Sequence, residues 1–314
     1  MGTVNKITGS LATAISKVSG TAISGIAKIM DQVISLFTDT KAAAKAPTTG
    51  TANAVYITDS DGYYTFDQAD LVSVSFWIKP GWTTSLNTNI HLWSSTDVGG
   101  AGVNADTFRI FYYENLNRLY VEWRSAQNDK CSNFWLFHSN SGVYANAYAA
   151  AGLGTSYWTN TNRGNVGDDD YTLITVVRGS ANNGGYFNCK LYWNQTDCGL
   201  GFYSAENGKT IGNNVGTPAM GNNDKQMTLG SNSWNFTKAG DTNDTKFNGV
   251  SVWNVALSGS DVTEIWNGGT PMNLENHSRA ANLVGWWNFE GDGNNSVSGG
   301  PAYTINGDSS IEDL

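Results

Sequence analysis

The side chains able to do chemistry are few and scattered. His91, His138 and His277 stand far apart, each without a carboxylate or cysteine at ligand spacing. Each therefore reads as a surface or loop histidine rather than a metal ligand or general base. The chain has no Gly-x-Ser-x-Gly elbow and no phosphate-cradling glycine loop closed by lysine, which sets aside the common hydrolase and nucleotide-binding chemistries. Carboxylates cluster at Asp59 and Asp61, at Asp168 to Asp170, and at Asp292 beside Asn294. Such oxygen donors suit a hard cation, and no cofactor is required. The same residues also serve plain turns, Thr58-Asp59-Ser60-Asp61-Gly62 being a hairpin turn on that reading. Trp82, Trp135, Tyr144, Tyr148, Tyr157 and Trp158 lie among Asn and Ser, where rings can stack on sugars. Most tryptophans must still be core, with Trp77, Trp253 and Trp286 or Trp287 the strongest candidates.

Cys131, Cys189 and Cys198 are too few for a disulfide framework and lack metal-site spacing. Cys189 and Cys198 flank a hairpin expected to turn at Asn194-Gln195, which does not set them directly opposite. A bridge and two free thiols both stay open.

The elements that carry these residues are read from composition first. A chain of 314 residues with 12% aromatic and only 14% charged residues, and with 36 Gly, is one of strands and turns rather than long helices. Its net charge of -9 argues against binding nucleic acid or an anionic membrane. Lys6, Lys17, Lys28, Lys41 and Lys45 nevertheless face only Asp31 and Asp39 in residues 1–46. This mildly basic arm suits docking to an acidic surface, or is merely solvated. Lysines interrupt the N-terminal apolar residues before a secretory core forms, and no run is long enough to span a bilayer. The protein is expected to reach its place by assembly rather than export.

Residues 1–38 carry a repeat. Val4, Ile7, Leu11, Ile15, Val18, Ala22, Ile26, Ile29, Val33 and Phe37 recur with a period of eleven, and Lys6-Ile7, Lys17-Val18 and Lys28-Ile29 repeat in step. That period keeps an apolar stripe on one side of a helix and, in a bundle, favours a right-handed supercoil. Gly9, Gly20 and Gly25 each cost about 1 kcal/mol in a helix interior, so the helix would not stand alone. It is expected to order by self-association in a homo-oligomer, by folding onto a partner protein, or by packing on its own β domain. Residues 39–52, ending in Pro47 and Gly50, read as a linker.

From residue 53 onward, β-branched and aromatic runs alternate with Gly, Asn and Asp. Strands are expected at 54–57, 72–78, 108–113, 118–123, 171–177, 186–193, 227–229, 249–253 and 284–289, which means an antiparallel sandwich or barrel. Several runs carry a resemblance to the laminin G-like and pentraxin-like domains of the concanavalin A-like superfamily. They are Val74-Ser75-Phe76-Trp77-Ile78-Lys79-Pro80, Lys190-Leu191-Tyr192-Trp193-Asn194-Gln195-Thr196 and Leu283-Val284-Gly285-Trp286-Trp287-Asn288-Phe289. With them goes Phe247-Asn248-Gly249-Val250-Ser251-Val252-Trp253-Asn254-Val255-Ala256-Leu257-Ser258, followed by Asp261-Val262-Thr263-Glu264-Ile265-Trp266-Asn267-Gly268-Gly269. The resemblance covers 53–314 and implies a two-sheet jelly roll, with 124–170 as a loop-rich insertion. The last motif reads as a short helix capped by Ser258 or Ser260, buried through Val262, Ile265 and Trp266, stopped by Gly268-Gly269 and plugging one end of the sandwich.

The resemblance also implies where function sits. Relatives often hold calcium in rim loops, and related glucanases use a Glu-x-Asp-x-x-Glu strand. Here Glu290-Gly291-Asp292 begins that pattern, but Asn295 stands at the second glutamate, and retaining hydrolysis needs two carboxyls. The chain is therefore expected not to be an enzyme. The Asn5-Lys6-Ile7-Thr8-Gly9 type of repeat ahead of such a domain resembles bacteriophage proteins. The leading expectation is a virion structural protein, a capsid decoration or a tail or fibre appendage at the virion surface. Residues 1–38 would bind other virion proteins, and the displayed sandwich would meet host glycans. A cell-surface lectin or adhesin is the alternative, and a glycoside hydrolase the third reading.

Overall fold

The computed structural model describes residues 41–44, 54–59, 73–79, 89–97, 106–113, 118–124, 130–136, 171–181, 187–200, 202–204, 225–230, 245–290, 297, 302–306 and 310–313. In chain order the strands are β1 (Lys41–Ala44), β2 (Ala54–Asp59), β3 (Ser73–Lys79), β4 (Asn89–Asp97), β5 (Asp106–Tyr113), β6 (Arg118–Arg124) and β7 (Lys130–Leu136). There follow β8 (Thr172–Ala181), β9 (Phe187–Trp193), β10 (Thr196–Leu200), β11 (Phe202–Ser204), β12 (Lys225–Leu229) and β13 (Lys246–Trp253). A single α-helix among the described residues, α1 (Gly259–Trp266), precedes β14 (Leu283–Trp287), β15 (Tyr303–Asn306) and β16 (Ser310–Asp313).

These strands form two eight-stranded sheets. The first runs β10-β9-β8-β3-β13-β1-β16, with β14 also on β13, and the second runs β11-β7-β6-β5-β4-β12-β2-β15. Every pairing is antiparallel. The chain passes repeatedly from one sheet to the other, as in β2 to β3 to β4 and β12 to β13. This is the antiparallel jelly-roll sandwich expected from the sequence.

Alternation along β3 shows why the sheets stack. Val74, Phe76 and Ile78 point inward, and Phe76 lies 6.2 Å from Phe247 of its own sheet and 6.0 Å from Trp93 of the other. Trp93, Trp193, Trp287, Tyr112, Phe76 and Phe247 are fully buried, and large aromatics of this kind supply most of the driving force for closing the sandwich. Trp77 and Trp253 are buried as expected, and of the alternatives Trp286 and Trp287 both are. On the opposite side of β3, Ser73 and Ser75 are polar and Trp77 lies with them. Ser75 Oγ lies 3.0 Å from Thr175 Oγ1, Ser251 donates to the Ser75 carbonyl, and the Trp253 indole N–H donates to Ser251 Oγ. The buried hydroxyls of Ser75, Thr175 and Ser251 thus find partners, as burial demands.

Two backbone positions depend on residue type. Asn194 has φ 55 at the expected Asn194-Gln195 turn, between the paired Trp193 and Thr196. Its backbone N–H donates to the Leu173 carbonyl, and its Oδ1 accepts from the Leu173 N–H, which pins the hairpin to β8. Gly249 has φ 52 within a register shift between β13 and β3, and a Cβ there would meet Trp77 Cδ1 at 3.0 Å. Gly249→Ala should cost about 1–2 kcal/mol for the left-handed backbone alone, with displacement of Trp77 added. Urea unfolding at equilibrium measures it, and an unchanged midpoint would contradict this packing.

The structure corrects three expectations. Residues 39–52 are not all linker, because Lys41–Ala44 form β1 between β13 and β16. Alanine and lysine are poor strand residues, but the open edges of two neighbours hydrogen-bond any extended backbone. Inside 124–170, read as a loop-rich insertion, Lys130–Leu136 form β7, paired along its length with β6. Its apolar residues do not alternate cleanly, so the period-two signal is weak there. The short helix does not plug an end: it lies on the outward face of the first sheet, with Trp266 stacked on Trp77 at 5.1 Å.

Candidate functional site

The helix brings together the most reactive-looking side chains among the described residues. Ser258 is the N-cap of α1: its hydroxyl accepts from the Asp261 N–H while the Asp261 side chain accepts from the Ser258 N–H, a capping box. Val262 and Ile265 are buried against the sheet. Asn267, with φ 44, closes the helix by donating its N–H to the Thr263 carbonyl, so the stop comes one residue before the Gly268-Gly269 pair. The chain then folds back and sets His277, Ser278 and Arg279 against the helix.

His277 lies in an irregular segment as read but is 3% exposed, which corrects the surface half of that reading, and its ring meets Trp253 edge-on at 4.9 Å. The Arg279 backbone N–H donates to His277 Nδ1 at 2.9 Å. Nδ1 is therefore the acceptor, and the proton sits on Nε2, which donates to the Asp261 carbonyl at 3.0 Å. Glu264 Oε1 accepts from the Ser278 N–H at 2.9 Å, and Arg279 Nε donates to Asp261 Oδ1 at 3.3 Å. Burial alone would raise the Asp261 carboxyl. The Ser258 amide and hydroxyl, with the Arg279 guanidinium, outweigh it and hold the group below the usual aspartate range. A histidine, two acids and an arginine in one place resemble catalytic machinery, but the atoms named are engaged in capping α1, in bonding within the 277–279 segment, or in fastening the two together. The signal missed in the sequence was the spacing from Asp261 and Glu264 to His277 across a chain reversal.

α1 thus packs on the first sheet's outward face over Trp77, and beside it Leu257 donates its N–H to Ser73 Oγ. On the second sheet, Phe111 of β5 and Tyr120 of β6 stack at 5.0 Å and 3°, with the Arg109 guanidinium 4.8 Å over the Phe111 ring. Residue-to-residue pairing extends that row from His91 through Phe111, Tyr120 and Phe134 to Phe202. Ile110 and Val121, in the row that holds Trp93, lie on the side toward the first sheet, so Phe111 and Tyr120 belong to the opposite side. Phe111 and Tyr120 are only 4% and 5% exposed, so their ring faces are not open to a ligand.

Of the residues expected to contact glycans, Trp135 falls in β7, in register with Leu119. Trp82, Tyr144, Tyr148, Tyr157 and Trp158 lie outside the described residues, as do Asp61, Asp168, Asp170 and Asp292. Asp59 ends β2 opposite Lys225. The repeat residues Ile7, Leu11, Ile15, Val18, Ile26, Ile29, Val33 and Phe37 also lie outside them. Among the described residues no group of His, Cys, Asp or Glu is placed to hold a metal ion, and no helix is long and apolar enough to cross a membrane. Cys189 and Cys198 are not bridged to each other; burial pushes the Cys198 thiol up to about 12, which keeps it a thiol at ordinary pH. Cys198 follows the bulge that begins after Asp197, out of step with Cys189.

No family model and no curated protein sequence matches the chain. Among solved structures it is similar to the native heptameric SAP-like pentraxin from Limulus polyphemus, with 11% identity, 88% of this chain and 94% of that chain covered, and a TM-score of 0.44. It is also similar to the binding domain of Paraclostridial Mosquitocidal Protein 1 (11% identity, 72% and 43% covered, TM-score 0.39). A third is the binding domain of Botulinum Neurotoxin DC in complex with SialylT (13%, 72% and 44%, TM-score 0.34). This chain spans less than half of either toxin chain. Its class rests on its own strand order, which makes it an antiparallel two-sheet sandwich of jelly-roll type.

Proposed function

We propose that the protein is a non-enzymatic structural protein of a bacteriophage virion, a capsid decoration or a tail or fibre appendage. In this reading residues 1–38 bind other virion proteins or further copies of the chain, and the sandwich is displayed at the virion surface to hold host glycans. The observation that carries it is the division of the chain. An eleven-residue apolar repeat, with no aromatic before Phe37, precedes a sandwich whose first strand among the described residues is Lys41–Ala44. A segment too glycine-rich to stand alone as a helix gains its order from partners, which suits an attachment arm. The non-enzymatic part is supported by His277, both of whose ring nitrogens are engaged within the fold.

Antibody to the full chain, applied to particles from a genome carrying the gene, should label intact virions. Unlabelled particles would contradict the virion role and favour a cell-surface adhesin. The full chain on a glycan array, with and without calcium, should bind a restricted set of surface glycans. Blank arrays in both conditions would remove the adhesion half, calcium-dependent signal would place an ion in the rim loops, and turnover of any bound polysaccharide would overturn the non-enzymatic reading.

A further inference from the structure

The first sheet is completed by a strand that barely belongs to it. β13 pairs with β3 along one edge; its other edge is shared, β14 taking residues 250–253 and β1 taking only Lys246 and Phe247. β16 in turn finds its ladder on β1 alone, through Lys41 with Asp313, Ala42 with Glu312, Ala43 with Ile311 and Ala44 with Ser310. β1 reads Lys-Ala-Ala-Ala, with no β-branched or aromatic side chain to mark it for one place. Main-chain hydrogen bonds hold it, and those would be the same for an identical strand from another copy.

Connectivity permits the exchange. Residues 45–53, nine in all, join β1 in one sheet to β2 in the other. Nine residues reach up to about 30 Å when extended, whereas stacked sheets lie about 10 Å apart. A connection of that length can reach a neighbouring sandwich as well as its own. If the preceding repeat gathers copies, as the proposed function requires, several β1 strands stand close to several β13–β16 slots. Identical ladders then compete at effective concentrations on the order of millimolar.

We infer that β1 is an exchangeable strand, and that in the assembled protein the slot between β13 and β16 takes Lys41–Ala44 from a second copy of the chain. This rests on self-association through residues 1–38, but it adds a specific interface: a strand inserted in a neighbouring sandwich, so that each sandwich is completed by another chain.

Ala43 and Ile311 are direct partners in antiparallel register, and opposed positions of this kind suit a disulfide. Full-length Ala43→Cys and full-length Ile311→Cys are co-expressed with distinct tags and oxidised, and each is also oxidised alone. The expected result is a disulfide-linked heterodimer carrying both tags in the mixture and in neither single variant. Light scattering on the same samples reports the oligomeric state. An oligomer with no heterotypic link, and with the Ala43→Cys/Ile311→Cys double variant linked only within one chain, would overturn exchange while leaving arm-driven assembly intact. A monomer would overturn both.

Discussion

Replacing Trp253 by alanine is expected to lower the unfolding free energy by about 3–5 kcal/mol, the largest effect of any single change considered. The indole is fully buried, and its N–H donates to Ser251 Oγ at 3.0 Å. Its ring is the surface that His277 meets edge-on. Removal leaves a cavity between the first sheet and the segment that carries α1, and strips a partner from a buried hydroxyl that itself donates to the Ser75 carbonyl. Trp253→Phe keeps most of the volume and loses the hydrogen bond, so it should cost well under half as much. Equilibrium unfolding in urea, followed by far-UV circular dichroism, measures both. Equal costs for the two variants would show that packing on the outward face is not what Trp253 contributes.

The second large effect is a pH dependence centred on Asp261. Its folded-state carboxyl is held below the ordinary range. A depressed value means that the stabilisation is fully present above the unfolded value, about pH 4, and is lost as pH falls through the folded value. Asp261→Asn removes the charge that pairs with Arg279 and weakens the capping box, and should cost about 1–2 kcal/mol at neutral pH. The gap between the variant and the natural protein should close as the pH drops below about 4. Unfolding curves at a series of pH values test this, and a gap that stays constant into acid would show that the Asp261 charge does no work.

Much of this was legible in the residues. Val74, Phe76 and Ile78 alternate with Ser73 and Ser75, so β3 announces both its period and its inward face, with Trp77 the exception on the other side. Ser258 three residues before Asp261, then Val262 and Ile265, announces a capped helix. Asn194-Gln195 between Trp193 and Thr196 announces the hairpin. What could not be read depends on tertiary partners. Lys41–Ala44 contain no strand signal and become β1 because β13 and β16 offer it hydrogen bonds. Asn89–Asp97, with Asn89, Ser94, Ser95 and Thr96 polar, lacks a clean alternation yet forms β4 between β5 and β12. His277 looked like a surface residue because its partners, Asp261 and Trp253, are distant in sequence and close only after the chain reverses.

The most direct measurement compares the full chain with residues 41–314, a truncation that spares β1 and so leaves β16 its ladder. Light scattering coupled to size exclusion should find the full chain oligomeric and the truncated chain monomeric, with the same β-rich circular dichroism. A truncated protein that keeps the oligomeric state of the full chain would show that the leading repeat does not supply the grip. One that loses its strand signature would show that the sandwich does not stand without it.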